Sequence, residues 1–176
     1  IFSFSMSGSA LIILLLFTIL SWTHISLSWV GILIFGIVFL LKAGIEKEWM
    51  WKKAGAMILG LAIGWLARPN PVGTLKLAYI QVVKLMQAKQ GEATLLFGTE
   101  LFPLKMETLF SNFLGFTAVW IFGMIVMFFL YKSIRKEEVS KKTFIISSAV
   151  LSLIFFAMTM FTARRAHDFW VIFGVM

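Results

Sequence analysis

The sequence predicts an all-α protein: a polytopic bundle of transmembrane helices with one interfacial amphipathic helix. Three observations predict it. Of 176 residues, 60% are hydrophobic and 14% charged, where soluble domains carry about 45–50% apolar and 25% charged residues. The apolar residues fall in runs close to the roughly 20 residues needed to cross a bilayer. The charged residues collect between those runs. There is no cysteine, which removes disulfides and thiolate metal sites. The two histidines, His24 and His167, are too few for a metal cluster.

Each element follows in order. The first span covers about residues 1–22 and is densest from Ala10 to Leu20. It has neither a basic n-region nor a small-residue cleavage site, so it is not a signal peptide. Thr23-His24 makes a turn, and a second span covers 25–41. A charged loop follows, Lys42 to Lys53, with Trp49 and Trp51 at headgroup level. The third span, 49–67, is strictly apolar only from Ala54 to Ala67 and crosses if Lys52 and Lys53 snorkel. Gly55, Gly60, Gly64 and Ala56 in it allow close helix approach.

Arg68-Pro69-Asn70-Pro71 stops that helix, because proline lacks an N–H and restricts its predecessor. Asn70 then reads as an N-cap and Pro71 as the first residue of a new helix. That helix, about 71–90, places Leu75, Ala78, Tyr79, Val82 and Met86 on one face and reads as interfacial. The outer loop 68–107 carries Glu100. The fourth span is about 109–131, the next charged loop Lys132 to Lys142, and the fifth span about 143–162. Arg164-Arg165-Ala166-His167-Asp168 follows, and 169–176 starts a sixth span. The expected total is about five complete spans, in a fragment of a longer protein.

Alternation sorts the loops into two sets. The Lys42–Lys53 and Lys132–Lys142 loops together hold nine lysines and arginines. The positive-inside rule places them in the cytoplasm. The Thr23–His24 turn, Arg68–Glu107 and Arg164–Asp168 then lie outside. The formal charge of +8 would suggest nucleic acid in a soluble protein. Here it has a topogenic origin, and the reading excludes a nucleic-acid partner.

Candidate ligand-binding residues lie on the outer set: Arg68, Asn70, Glu100, Arg164, Arg165, His167 and Asp168. Arg164 and Arg165 suit phosphate or pyrophosphate, since a guanidinium is a permanently charged fork of donors. They equally suit anchoring to lipid headgroups. His167 and Asp168 can exchange protons, or Asp168 can pair with an arginine. Glu100 can hold a sugar hydroxyl or a metal, or cap a short helix. Arg68 and Asn70 are accounted for by a helix stop and restart, with a ligand role as the lesser reading. There is no phosphate-binding loop, dinucleotide fingerprint or His/Cys ligand spacing. No metal site is assigned, and a divalent cofactor stays open with no ligand set visible.

Asn70-Pro71 opening an amphipathic segment, Glu100-Leu101-Phe102-Pro103, and Arg164-Arg165-Ala166-His167-Asp168-Phe169-Trp170 together resemble bacterial GT-C type membrane glycosyltransferases. The resemblance covers roughly Arg68 to Met176. It implies sugar transfer from a polyprenyl-phosphate carrier outside the cytoplasm, with the bilayer and a lipid-linked sugar phosphate as partners. It implies phosphate binding by Arg164 or Arg165 and sugar positioning by Glu100. The family carries its catalytic carboxylate in the first outer loop. Thr23-His24 holds none, so that loop falls before Ile1 if the resemblance applies, and no catalytic base is assigned. A transporter or flippase for an anionic lipid or solute, and a noncatalytic membrane subunit, are the competing readings. Against transport, the charges sit at span edges and no repeated half is visible.

Overall fold

The computed structural model describes residues 8–84, 104–135, 138–161 and 172–173, without the side chains of Ser26, Gln81 and Val82. The described residues are helical, with no strand among them. They divide into two compact units: Ile1–Phe39 with Trp49–Thr94, and Leu40–Glu48 with Leu95–Met176.

In the first unit, α1 (Gly8–Thr23) leads through a 3-10 turn (Ile25–Leu27) into α2 (Ser28–Leu41). α3 (Trp51–Leu66) and α4 (Pro71–Tyr79) follow, then a wide turn at Ile80–Lys84. The core of this unit is a backbone contact between α1 and α3. A Cβ on Gly60 would lie 2.5 Å from the Leu14 carbonyl oxygen, and one on Gly64 would lie 2.2 Å from that of Thr18. No side chain larger than hydrogen fits at either position. Ala56, 5% exposed, continues the same small-residue row. Such rows let helix backbones approach where lipid removes the hydrophobic drive to associate. The Ser21 hydroxyl donates to the Leu61 carbonyl at 2.9 Å across the same contact.

Residue numbers rise together along this contact, so α1 and α3 run parallel. Along α2 they run oppositely: Gly31 meets Leu20 and Phe17, and the Phe35 ring stands edge-on to Phe17 at 6.3 Å. α2 is therefore the return stroke between two parallel helices. Its aromatic row continues through Phe39 to Trp49 and Trp51, whose rings stack 5.5 Å apart. Both tryptophans are exposed, at 57% and 66%, as rings in a headgroup layer are.

The second unit contains α5 (Met106–Asn112), α6 (Leu114–Ser133) and α7 (Val139–Phe161). α6 and α7 form an antiparallel hairpin. Trp120 stacks on Phe156 at 4.7 Å and donates from Nε1 to the Ser152 hydroxyl at 2.6 Å. Nearer the loop, Lys142 lies over the Tyr131 ring. The inner face of α7 is a row of small hydroxyls and two large apolar residues: Thr143, Ser147, Ser148, Leu151, Ser152, Phe155 and Thr159 are all buried. Thr143, Ser147 and Thr159 donate to the carbonyl four residues back, so their oxygens enter an apolar contact with partners in place. Leu104, 4% exposed, closes the row by donating its N–H to the Thr159 carbonyl at 3.0 Å.

Among the described residues, three helices are long and apolar enough to cross a membrane: Ser28–Glu46, Leu114–Ser133 and Val139–Phe161. α1 and α3 have 16 described residues each, about 24 Å of helix against a hydrocarbon core of about 30 Å. The exposed residues fit apolar surroundings: Phe122 is 67% exposed and Phe161 83%.

Several boundaries differ from the sequence reading. The Lys42–Lys53 loop is mostly helix. After Leu41 the chain makes a wide π turn at Lys42–Glu46, stabilised by Lys42 reaching Glu46 at 3.1 Å across one turn and Glu48 at 3.6 Å. Helix ends only at Lys47, in the left-handed region with φ 58°. The fourth span bends at Phe113 and resumes at Leu114. The fifth begins at Val139, where a Glu138–Lys141 pair supports its first turn. The amphipathic helix keeps α-helical form only to Tyr79 before widening.

Candidate functional site

The two described candidate residues, Arg68 and Asn70, lie at one end of the first unit. α1 and α3 are parallel, so both finish there. Arg68, just past the end of α3, reaches back and donates from Nε to the Ser21 carbonyl at 3.0 Å. That carbonyl belongs to the last turn of α1, whose oxygens lack intrahelical partners. A cation at a helix C-terminus also meets the negative end of the helix dipole. One side chain thus caps α1 and locks the ends of α1 and α3 together.

The restart after Arg68 has the local chemistry that its sequence suggests. Asn70 Oδ1 accepts from the Gly73 N–H at 2.9 Å, and Pro71 occupies the first helical turn. Thr74 Oγ1 donates to the Asn70 carbonyl at 2.6 Å. A Cβ on Gly73 would lie 2.5 Å from Nδ2 of Asn70, so a larger residue there would displace the capping side chain. Trp65 Nε1 donates to the Pro71 carbonyl at 2.7 Å, which pins α4 to the last turn of α3. α4 also packs against the Ile25–Leu27 turn. It buries no residue, and leaves Val72, Leu75, Leu77 and Tyr79 exposed.

No family model, curated protein or solved structure matches this chain.

Of the seven residues singled out in the sequence, Arg68 and Asn70 are brought together here. Each has a defined positioning role: Arg68 caps α1, and Asn70 caps α4. Glu100, Arg164, Arg165, His167 and Asp168 lie outside the described residues. Among the described residues, no group of three His, Cys, Asp or Glu side chains could hold a metal ion.

Two features escape the sequence reading. One is the role of Ser21, which donates through its hydroxyl and accepts through its carbonyl. The other is the hydroxyl row of α7. Its signal is present in the sequence as Thr143, Ser147, Leu151, Phe155 and Thr159 at four-residue spacing, the period of one helix face.

A second charged cluster, Lys42 with Glu46 and Glu48, lies in the second unit, on the turn that packs against α7. Its lysine meets two carboxylates. Arg68 differs: the described residues of the first unit include no Asp or Glu.

Proposed function

We propose that this chain is part of an integral membrane glycosyltransferase that transfers a sugar from a polyprenyl-phosphate carrier on the extracytoplasmic face. The observation that supports it is the parallel run of α1 and α3. It brings the Thr23–His24 turn and the Arg68–Asn70 break to one end of the first unit, as the sorting of loops into two faces requires. On this reading α1 and α3 are spans as well, with five complete crossings in all. The Lys42–Lys53 and Lys132–Lys142 segments face the cytoplasm.

The chemistry follows from that placement. A polyprenyl-phosphate sugar is anionic at the headgroup and hydrocarbon below. Arg164 and Arg165, at the outer edge of the last complete span, supply permanent charge for the phosphate. Glu100 accepts from a sugar hydroxyl. Asp168 pairs with an arginine, and His167 beside it can exchange protons. Arg68 and Asn70 act by positioning: they fix the floor of the outer face and the direction in which α4 leaves it.

The test is sugar transfer from a polyprenyl-phosphate donor by the full-length protein in membranes. Arg164→Ala and Arg165→Ala are each expected to lower transfer by about tenfold or more, the loss of a charge-assisted hydrogen bond, with insertion unchanged. Full activity in both variants overturns the phosphate site.

A further inference from the structure

The loop joining α6 to α7 carries charge that the proposed sugar transfer does not use. The segment Lys132–Lys142 holds five basic residues and two acidic ones. One acid, Glu138, pairs with Lys141. With Glu137 paired as well, three positive charges would still remain in excess. The turn that packs against α7 leaves this excess unchanged, because Leu40–Glu48 brings two lysines and two glutamates.

Two of the lysines are held over aromatic rings. Lys132 Nζ stands 4.5 Å from the centre of the Phe128 ring, and Lys142 Nζ stands 5.5 Å from the centre of the Tyr131 ring. Phe128 and Tyr131 are three residues apart on α6, and so are neighbours on one side of it. Lys132 reaches its ring within α6, whereas Lys142 reaches across from the first turn of α7. Each helix thus places one ammonium group over one of two neighbouring rings. A ring face attracts a cation but leaves most of an ammonium group's three N–H donors available. Arg135, just past the end of α6, is exposed and adds a third cation.

The flanking helices set where these charges lie. Leu114–Ser133 and Val139–Phe161 are each long and apolar enough to cross a membrane. Residues 134–138 alone join them. With both helices across a bilayer, that link is too short to lift Lys132 and Lys142 away from the headgroup layer.

We propose that Lys132 and Lys142, over the rings of Phe128 and Tyr131, bind the headgroup phosphate of an anionic phospholipid at the loop end of the α6–α7 hairpin. Charge complementarity selects an anionic occupant, as it does for other basic segments beside membrane spans. The two flanking helices select a lipid over a soluble anion. The phosphate accepts from both ammonium groups, and Arg135 strengthens the attraction. The site uses none of the outer-face residues, so it stands or falls separately from sugar transfer.

The test is native mass spectrometry of the full-length protein released from nanodiscs of equal phosphatidylglycerol and phosphatidylcholine. The wild type is expected to retain phosphatidylglycerol in preference to phosphatidylcholine. Lys132→Gln combined with Lys142→Gln should lower that retention about tenfold or more, as loss of charge-assisted hydrogen bonds implies. Lys132→Arg combined with Lys142→Arg keeps the charge and should keep the preference. The control pair is Lys76→Gln with Lys105→Gln, which removes two charges elsewhere. Lys76 lies on α4, and Lys105 follows Leu104, which bonds to Thr159 at the other end of α7. This pair should retain the lipid like wild type. Equal retention of the two lipids by wild type overturns the site, as does undiminished phosphatidylglycerol in the double glutamine variant. A matching loss in the control pair overturns it too, by reducing the effect to overall charge. Release of the lipid by inorganic phosphate would also overturn it, by identifying an anion site that needs no bilayer.

Discussion

At the scale of single residues, Gly60 and Gly64 carry the tightest backbone constraint among the described glycines. Their hydrogens occupy space that a Cβ would contest with backbone oxygens, which cannot rotate away as a side chain can. Gly64→Val should therefore destabilise the protein by about 1–3 kcal/mol, the usual cost of overpacking a close contact. Thermal unfolding of the full-length protein in detergent measures it. Gly55→Val is the control, because nothing lies within 4 Å of a Cβ there, and it should shift stability by less than about 0.5 kcal/mol. The close approach at Gly60 and Gly64 is hinted at in the sequence by small residues four apart, a spacing common in apolar runs. Their partner is not legible. Nothing local distinguishes Leu14 and Thr18 from other residues of α1, because what they contribute is backbone.

At the scale of elements, the α6–α7 hairpin depends on a polar bond in an apolar contact. Trp120 gives its indole N–H to Ser152, and its ring stacks on Phe156. A double-mutant cycle with Trp120→Phe and Ser152→Ala should return a coupling of about 0.6–1.7 kcal/mol, the range for such bonds between membrane helices. Additivity of the two changes in stability would show that the bond contributes nothing. Element boundaries were the least legible level, and the reason is physical. Charge reports surroundings and not backbone conformation. Lys42 and Glu46 look like loop residues, yet one turn apart they pair and carry the helix onward. Lys141 and Lys142 likewise belong to the first turn of α7. The Asn70-Pro71 restart was readable to the residue, because a cap and a proline act through the backbone directly.

At the scale of the whole molecule, the distribution of charge makes a prediction about sidedness. The chain contains no cysteine, so single cysteines report without background. In intact cells expressing the full-length protein, an impermeant thiol reagent should label cysteines placed at Gly91 and Ala166 and leave one at Ser133 unlabelled. The reverse pattern would put Arg164 and Arg165 in the cytoplasm and remove the basis of the glycosyltransferase reading. The presence of long apolar helices able to cross a membrane was legible from composition and run length alone. The count of crossings was less so. Hydropathy scores a run of residues, whereas crossing requires helix length, and Trp51-Lys52-Lys53 at the head of α3 contributes length with little apolar surface.

The bond between Arg68 and Ser21 spans 47 positions of sequence, and that between Ser21 and Leu61 spans 40. α1 is therefore made long before either partner has been synthesised. Until then the carbonyls of its last turn must be met by its surroundings, and α2 is the neighbour available to it. The α1–α3 contact can close only after α2 has been laid down and α3 has followed in the same direction as α1. Birth order along the chain and adjacency in the finished unit thus differ, and Arg68 is the residue whose arrival completes the join.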